Sequence, residues 1–149
     1  MKLEDEIKSK FRNDHHKALV NLYYTNIVIG EQFFKLLKKY GLAAPQFNVL
    51  RILRGQHPNA ASIGLIKGRM LDSNSDVSRI VERLFKKELV ERKESKVDRR
   101  QKDVVITKKG LALLTKMAVC EVQEDEVLSN LNKKEVKQLN ELLDKIRSK

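Results

Sequence analysis

Between Arg83 and Lys102 stand nine cations and four anions. The cations are Arg83, Lys86, Lys87, Arg92, Lys93, Lys96, Arg99, Arg100 and Lys102, against Glu88, Glu91, Glu94 and Asp98. Side chains of these types bind a polyanion electrostatically. Asp98, alone among the cations at the centre of the patch, can hold a neighbouring arginine in place by a charge-assisted hydrogen bond. The plainer alternative is a solvated loop whose surface ion pair contributes little.

The remainder of the chain supplies no better chemistry. It has no Gly-rich phosphate loop, no G-x-S-x-G and no paired carboxylates in an apolar frame, so an enzyme is not expected. His15 and His16 are adjacent and point apart on a helix, while His57 is remote, so neither a metal nor a cofactor is expected. Cys120 sits on an apolar stripe with Glu121 and Glu124 near, which suits a buried thiol better than a redox sensor. The longest apolar runs, such as Leu111 to Leu114, reach only four residues, too short to span a membrane. The first residues lack the apolar stretch of a secretory signal. A cytoplasmic protein is expected.

The net charge of +11 is unevenly spread. Residues 1–43 carry 8 basic and 5 acidic side chains, residues 44–110 carry 16 and 8, and residues 111–149 carry 7 and 7. A local surplus of this kind is the footprint expected for nucleic acid; a lysine-rich solvated surface is the alternative.

The elements that position the patch follow from periodicity. Residues 13 to 40 read as a long helix, with Leu19, Leu22, Tyr23, Ile27, Phe33, Phe34, Leu37 and Tyr40 on a broad apolar stripe, ended by Gly41. Pro45 opens a second helix that carries Phe47, Leu50, Ile52 and Leu53. Ser62 caps a short third helix through Met70. Ser73-x-x-Asp76 has a capping pattern for a fourth helix from Ser75 to about Glu88, with Val77, Ile80, Val81 and Leu84 inward. Leu89 to Glu94 and Asp103 to Thr107 read as hairpin strands around a tip at Ser95 to Lys102. Lys108 to about Ser129 forms a helix with two apolar stripes. Asn132 and Glu135 then cap a last helix carrying Val136, Leu139, Leu143 and Ile146. Stripes this broad need more partners than one small core provides, so a homodimer built from the terminal helices is expected.

Three short helices and a hairpin are the winged helix-turn-helix pattern, whose third helix enters the DNA major groove by its N-terminal residues. Here the outward residues would be Asn74, Ser75, Ser78, Arg79, Glu82, Arg83 and Lys86. Serine and asparagine can bond bases and Arg79 can pair bidentately with guanine, while Arg83 and Lys86 meet phosphate. An amphipathic surface helix with a Glu82–Lys86 pair is the alternative. Arginines on the hairpin fit a narrow minor groove.

From Leu84 to Gly110 the chain resembles the MarR family of bacterial transcription regulators. Leu89-Val90 begins a strand, Asp98-Arg99-Arg100 follows, and the next strand ends in Thr107-x-x-Gly110. The resemblance implies a mainly α fold with a small β-hairpin wing. It divides the chain into an N-terminal dimerisation helix (1–43), a DNA-binding domain (44–110) and C-terminal dimerisation helices (111–149). It implies a homodimer on a pseudo-palindromic operator in double-stranded DNA, with repression relieved by a small-molecule or stress signal. Arg99 or Arg100 would probe the minor groove, Asp98 would brace the tip, Lys102 would join the basic wing, and Ser75, Ser78 and Arg79 would face the major groove. An effector would lie among His15, His16, Leu19 and Tyr23. Asp76 departs from the family's small polar residue and would repel phosphate unless it caps the helix. The rival function is a winged-helix protein-interaction or DNA-architectural module without sequence preference.

Overall fold

The computed structural model describes residues 2–8, 10–96, 98, 101–118, 122 and 126–148. They fall into two compact units, Met1–Leu36 and Leu37–Lys149.

In the first unit the short helix α1, Leu3–Ile7, is followed by α2, the 26-residue helix Asp14–Lys39 that runs on into the second unit. Two polar contacts fasten α1 along α2. Glu4 pairs with Lys17, and the Tyr24 hydroxyl donates to Glu6 Oε2 at 3.0 Å. The expected apolar stripe is present on α2, and several of its side chains are exposed. Tyr23 is 62% exposed, and Ile27 and Phe34 are each 57% exposed. Leu37 alone of this helix is buried.

The second unit starts at the end of α2, where Gly41 adopts φ 68° and Leu42 N donates back to Leu37 O at 3.2 Å. This left-handed turn costs a glycine nothing and sends the chain into α3, Ala44–Gln56, with Pro45 in its first turn. Helix α4, Ile63–Arg69, is capped by Ser62, whose Oγ accepts from Leu65 N at 3.1 Å. Helix α5 is Val77–Lys86. Strands β1, Val90–Glu94, and β2, Lys102–Ile106, pair antiparallel, with Val90 opposite Ile106 and Glu94 opposite Lys102. Ala61 adds a bridge to β2, exchanging two 2.8 Å hydrogen bonds with Val104. Helix α6 is Lys108–Lys116, and α7 is Lys133–Arg147.

The core is built where these periodicities converge. Phe47, Leu50 and Leu53 of α3, Ile66 of α4, Val77, Val81 and Leu84 of α5, Val90 and Val104 of the hairpin, and Leu114 and Met117 are all buried. Ile52 and Ile80, expected inward, are only half-buried, whereas Val49 is fully enclosed. Lys102, expected at the tip, instead opens β2 opposite Glu94. Of the helix expected to reach Ser129, α6 covers the part up to Lys116. Cys120 and its neighbours Glu121 and Glu124 lie outside the described residues.

The Thr107-x-x-Gly110 motif joins hairpin to helix. Thr107 Oγ1 donates to Glu88 O at 2.8 Å and accepts from Gly110 N at 3.0 Å, which caps α6. A Cβ on Gly110 would stand 2.4 Å from Leu89 O, so a side chain there would collide with backbone. Glu88, just past the end of α5, has φ 61° and so occupies a left-handed position without being glycine. At the start of α7, Asn132 and Glu135 cap each other's backbone, and Asn132 N donates to Glu135 Oε2 at 2.8 Å.

Candidate nucleic-acid interface

The turn before α5 is organised by side chains that bond backbone. Asn48 of α3 accepts from Leu71 N at 3.0 Å, and Asp72 Oδ1 accepts from Asn74 N at 2.9 Å. Ser75 N then donates to Asp72 O at 3.2 Å. These bonds keep residues 71–75 out of helical conformation, so the helix begins later than Ser75, at Val77. The expected cap at Ser73 is therefore displaced. Asp76 is itself the N-cap, and its Oδ1 accepts from Arg79 N at 3.1 Å. An aspartate there meets an orphan N–H and the positive end of the helix dipole. The acid that departs from the family's small polar residue thus caps the helix.

Helix α5 divides as its periodicity requires. Val77, Val81 and Leu84 face the core, while Ser78, Arg79, Arg83 and Lys86 are exposed, with Asn74 exposed and Ser75 half-buried in the preceding turn. The outward set thus forms one polar and cationic edge along the helix. Lys87 reaches the other way, donating to Gly41 O and to Gln46 Oε1 at 3.4 Å, and so ties the end of α5 to the α2–α3 turn.

The hairpin tip is closed by its own backbone. Ser95 N donates to Gln101 O at 3.2 Å, and Gln101 N to Asp98 O at 2.9 Å. Gln101 Nε2 also lies 3.5 Å from Asp98 Oδ2. Arg99 and Arg100, the arginines expected to reach outward, lie outside the described residues, and Lys102 is exposed on β2.

One contributor escaped the sequence reading, which counted Arg92 only as a charge. Its guanidinium donates to Glu82 Oε2 on α5 and lies 4.9 Å above the Phe85 ring. Lys86 Nζ stands 3.9 Å from the other Glu82 oxygen. The hydrogen bond from Arg92 and then its charge hold the Glu82 carboxyl below the usual carboxylate range. The available signal was the period of two along a strand: Arg92 shares a face with buried Val90 and so projects back over α5.

The residues expected to line an effector site begin α2. His16 Nδ1 accepts from Arg12 N at 3.2 Å and its ring meets Phe11 edge-on at 5.9 Å. His15, Leu19 and Tyr23 are exposed. Among the described residues no group of three or more His, Cys, Asp or Glu side chains could hold a metal ion, and no helix is long and apolar enough to cross a membrane.

Residues 42–102, the segment holding α3 to the hairpin tip, match the MarR family. Over 119 residues the chain is 32% identical to the HTH-type transcriptional regulator MhqR of Bacillus subtilis (strain 168), covering 79% of this chain and 81% of MhqR. The chain belongs to the MarR family. As a MarR-family protein it is a DNA-binding transcription regulator and not an enzyme. Its fold is that of solved MarR-like regulators. S. aureus MepR, solved as a complex with DNA, superposes with a TM-score of 0.72 at 20% identity, over 83% of this chain and 94% of MepR. Bordetella bronchiseptica BpsR, whose DNA binding is regulated by 6-hydroxynicotinic acid, superposes at 0.68 with 24% identity, over 86% of this chain and 99% of BpsR.

Proposed function

We propose that this MarR-family protein is a homodimer that reads a pseudo-palindromic operator and represses transcription until a small molecule binds. The carrying observation is the edge of α5, where Ser78, Arg79, Arg83 and Lys86 stand exposed on a helix capped by Asp76. In this reading Asn74, Ser75, Ser78 and Arg79 meet base edges, Arg83 and Lys86 meet phosphate, and Arg99, Arg100 and Lys102 serve the wing, with Asp98 bracing the tip.

The dimer is supported by apolar surface that the single chain leaves in water. Tyr23, Ile27 and Phe34 on α2, and Leu142 and Ile146 on α7, are exposed, and burial of apolar area is what drives association. Residues 1–43 and 111–149 are accordingly assigned to dimerisation and 44–110 to DNA. A twofold pair of recognition helices would sit roughly 34–36 Å apart, one turn of B-DNA. Relief by an effector is supported by BpsR, which responds to 6-hydroxynicotinic acid, and His15, His16, Leu19 and Tyr23 are the residues assigned to such a ligand here.

The test is titration of the purified protein onto duplex from its own promoter region, against salt and random competitor. Tight binding that survives competitor and falls steeply with salt supports the operator reading. Equal, weak binding to every duplex replaces it with an architectural role, and no DNA binding with a protein-interaction module. Sedimentation of the free protein as a monomer would remove the dimer.

A further inference from the structure

We infer that Leu71, in the turn before the recognition helix, is a specificity-determining residue that packs on the C5 methyl group of a thymine in the major groove. This deepens the operator reading above and rests on α5 being the helix that enters the groove.

Leu71 is 93% exposed, more than any other large apolar side chain among the described residues. The other uncovered apolar residues lie mostly on α2 and α7, where a second copy would cover them. Within the reading head the other strongly exposed one is Phe85, at 44%, and Arg92 lies over its ring. Leu71 has no such cover. A single exposed leucine is ordinary on a protein surface; its setting here is not.

The turn is held by hydrogen bonds to its backbone. Leu71 N is bound by Asn48 Oδ1 at 3.0 Å, Asn74 N by Asp72 Oδ1 at 2.9 Å, and Ser75 N by Asp72 O at 3.2 Å. The Asp72 carboxylate, the one acid in this turn, is thereby engaged with backbone. Leu71 and Asn74 are both exposed on the same short turn, three residues apart and immediately ahead of the Asp76 cap. A helix that brings Asn74, Ser75 and Ser78 to base edges carries this leucine with it. In the major groove the apolar group on a base edge is the thymine methyl, and a branched aliphatic side chain is its complement.

The test uses the tightest duplex the full-length protein selects from a random-sequence pool, made with thymine and again with deoxyuridine at every thymine of both half-sites. Deoxyuridine removes only the methyl groups. Wild type is expected to lose at least about four-fold per half-site on the deoxyuridine duplex, the burial of one methyl-sized group. Leu71→Ala is expected to lose about four-fold per half-site on the thymine duplex and to bind the deoxyuridine duplex as wild type does, while Leu71→Met retains most of the discrimination. Because the side chain is exposed, the thermal midpoint of Leu71→Ala should match wild type. Losses from the substitution and the base change that multiply, or unchanged binding by Leu71→Ala, overturn the inference while leaving the operator reading intact. A wild type that selects no sequence from the pool overturns both.

Discussion

Arg92 of β1 hydrogen-bonds Glu82 of α5 and stacks on Phe85 one turn further along the same helix. Two side chains of the recognition helix therefore hold a single cation of the wing. The arrangement also pairs the acid in the middle of α5 with a cation of β1. Hairpin and helix thus meet at a point back from the hairpin tip.

The ion pair should be visible in acid. Arg92 holds the Glu82 carboxyl below its ordinary value, so the pair's contribution to stability is complete above the unfolded carboxyl's pKa, about 4.3. It then disappears as pH falls through the lower folded value. Thermal melts between neutral pH and pH of about 3 should show a steeper acid decline for wild type than for Glu82→Gln. Superimposable acid limbs would mean that the pair contributes nothing to stability, the common fate of exposed pairs.

Two glycines should respond with opposite signs. Gly110→Ala places a methyl 2.4 Å from Leu89 O and 2.7 Å from Ile106 Cγ1 in a buried junction. Overpacking against backbone should cost at least about 2 kcal/mol in urea melts. Gly68→Ala, within α4 and with nothing inside 4 Å of the new methyl, should gain about 0.5–1 kcal/mol from helix propensity.

The cap at Asp76 can be separated from its charge. Asp76→Ala removes the acceptor for Arg79 N and should cost about 1 kcal/mol of stability. Asp76→Asn keeps an equally good cap while deleting an anion near phosphate. It should leave stability nearly unchanged and raise affinity for every duplex. A fall in affinity would place the carboxylate itself against a base, at a cytosine amino group for instance.

How much of this was legible in the sequence depended on whether a signal was local. The order of helices and hairpin followed from periodicity and punctuation, with Gly41, Pro45, Ser62 and the Asn132–Glu135 pair in the roles their residue types suggest. The start of α5 was displaced because Ser73 and Asp76 both carry side chains that can cap a helix, and only the folded turn decides which one meets its backbone N–H. Arg92 was visible as charge but not as a clamp, since its partners lie 10 and 7 residues away on another element. The stripe on α2 is apolar as its periodicity suggests, yet of its members only Leu37 is buried while Tyr23, Ile27 and Phe34 stand exposed.

Arg79 and Lys86 should separate base reading from phosphate attraction. Both are exposed on α5, Arg79 in its first turn and Lys86 at its last residue. Arg79→Ala should cost about 1–3 kcal/mol on the operator and relax preference at one base pair of each half-site. Lys86→Ala should weaken binding to all duplexes alike and lower the salt slope by about 1 for each phosphate it no longer neutralises. Lys86 stands 3.9 Å from Glu82, so part of its effect is offset where that acid keeps Arg92 as its partner. Competition titrations at several salt concentrations distinguish the two. If Arg79→Ala weakened specific and random duplexes equally, its guanidinium would be a phosphate ligand, and base recognition would fall to Asn74, Ser75 and Ser78 in the turn and first helical residues.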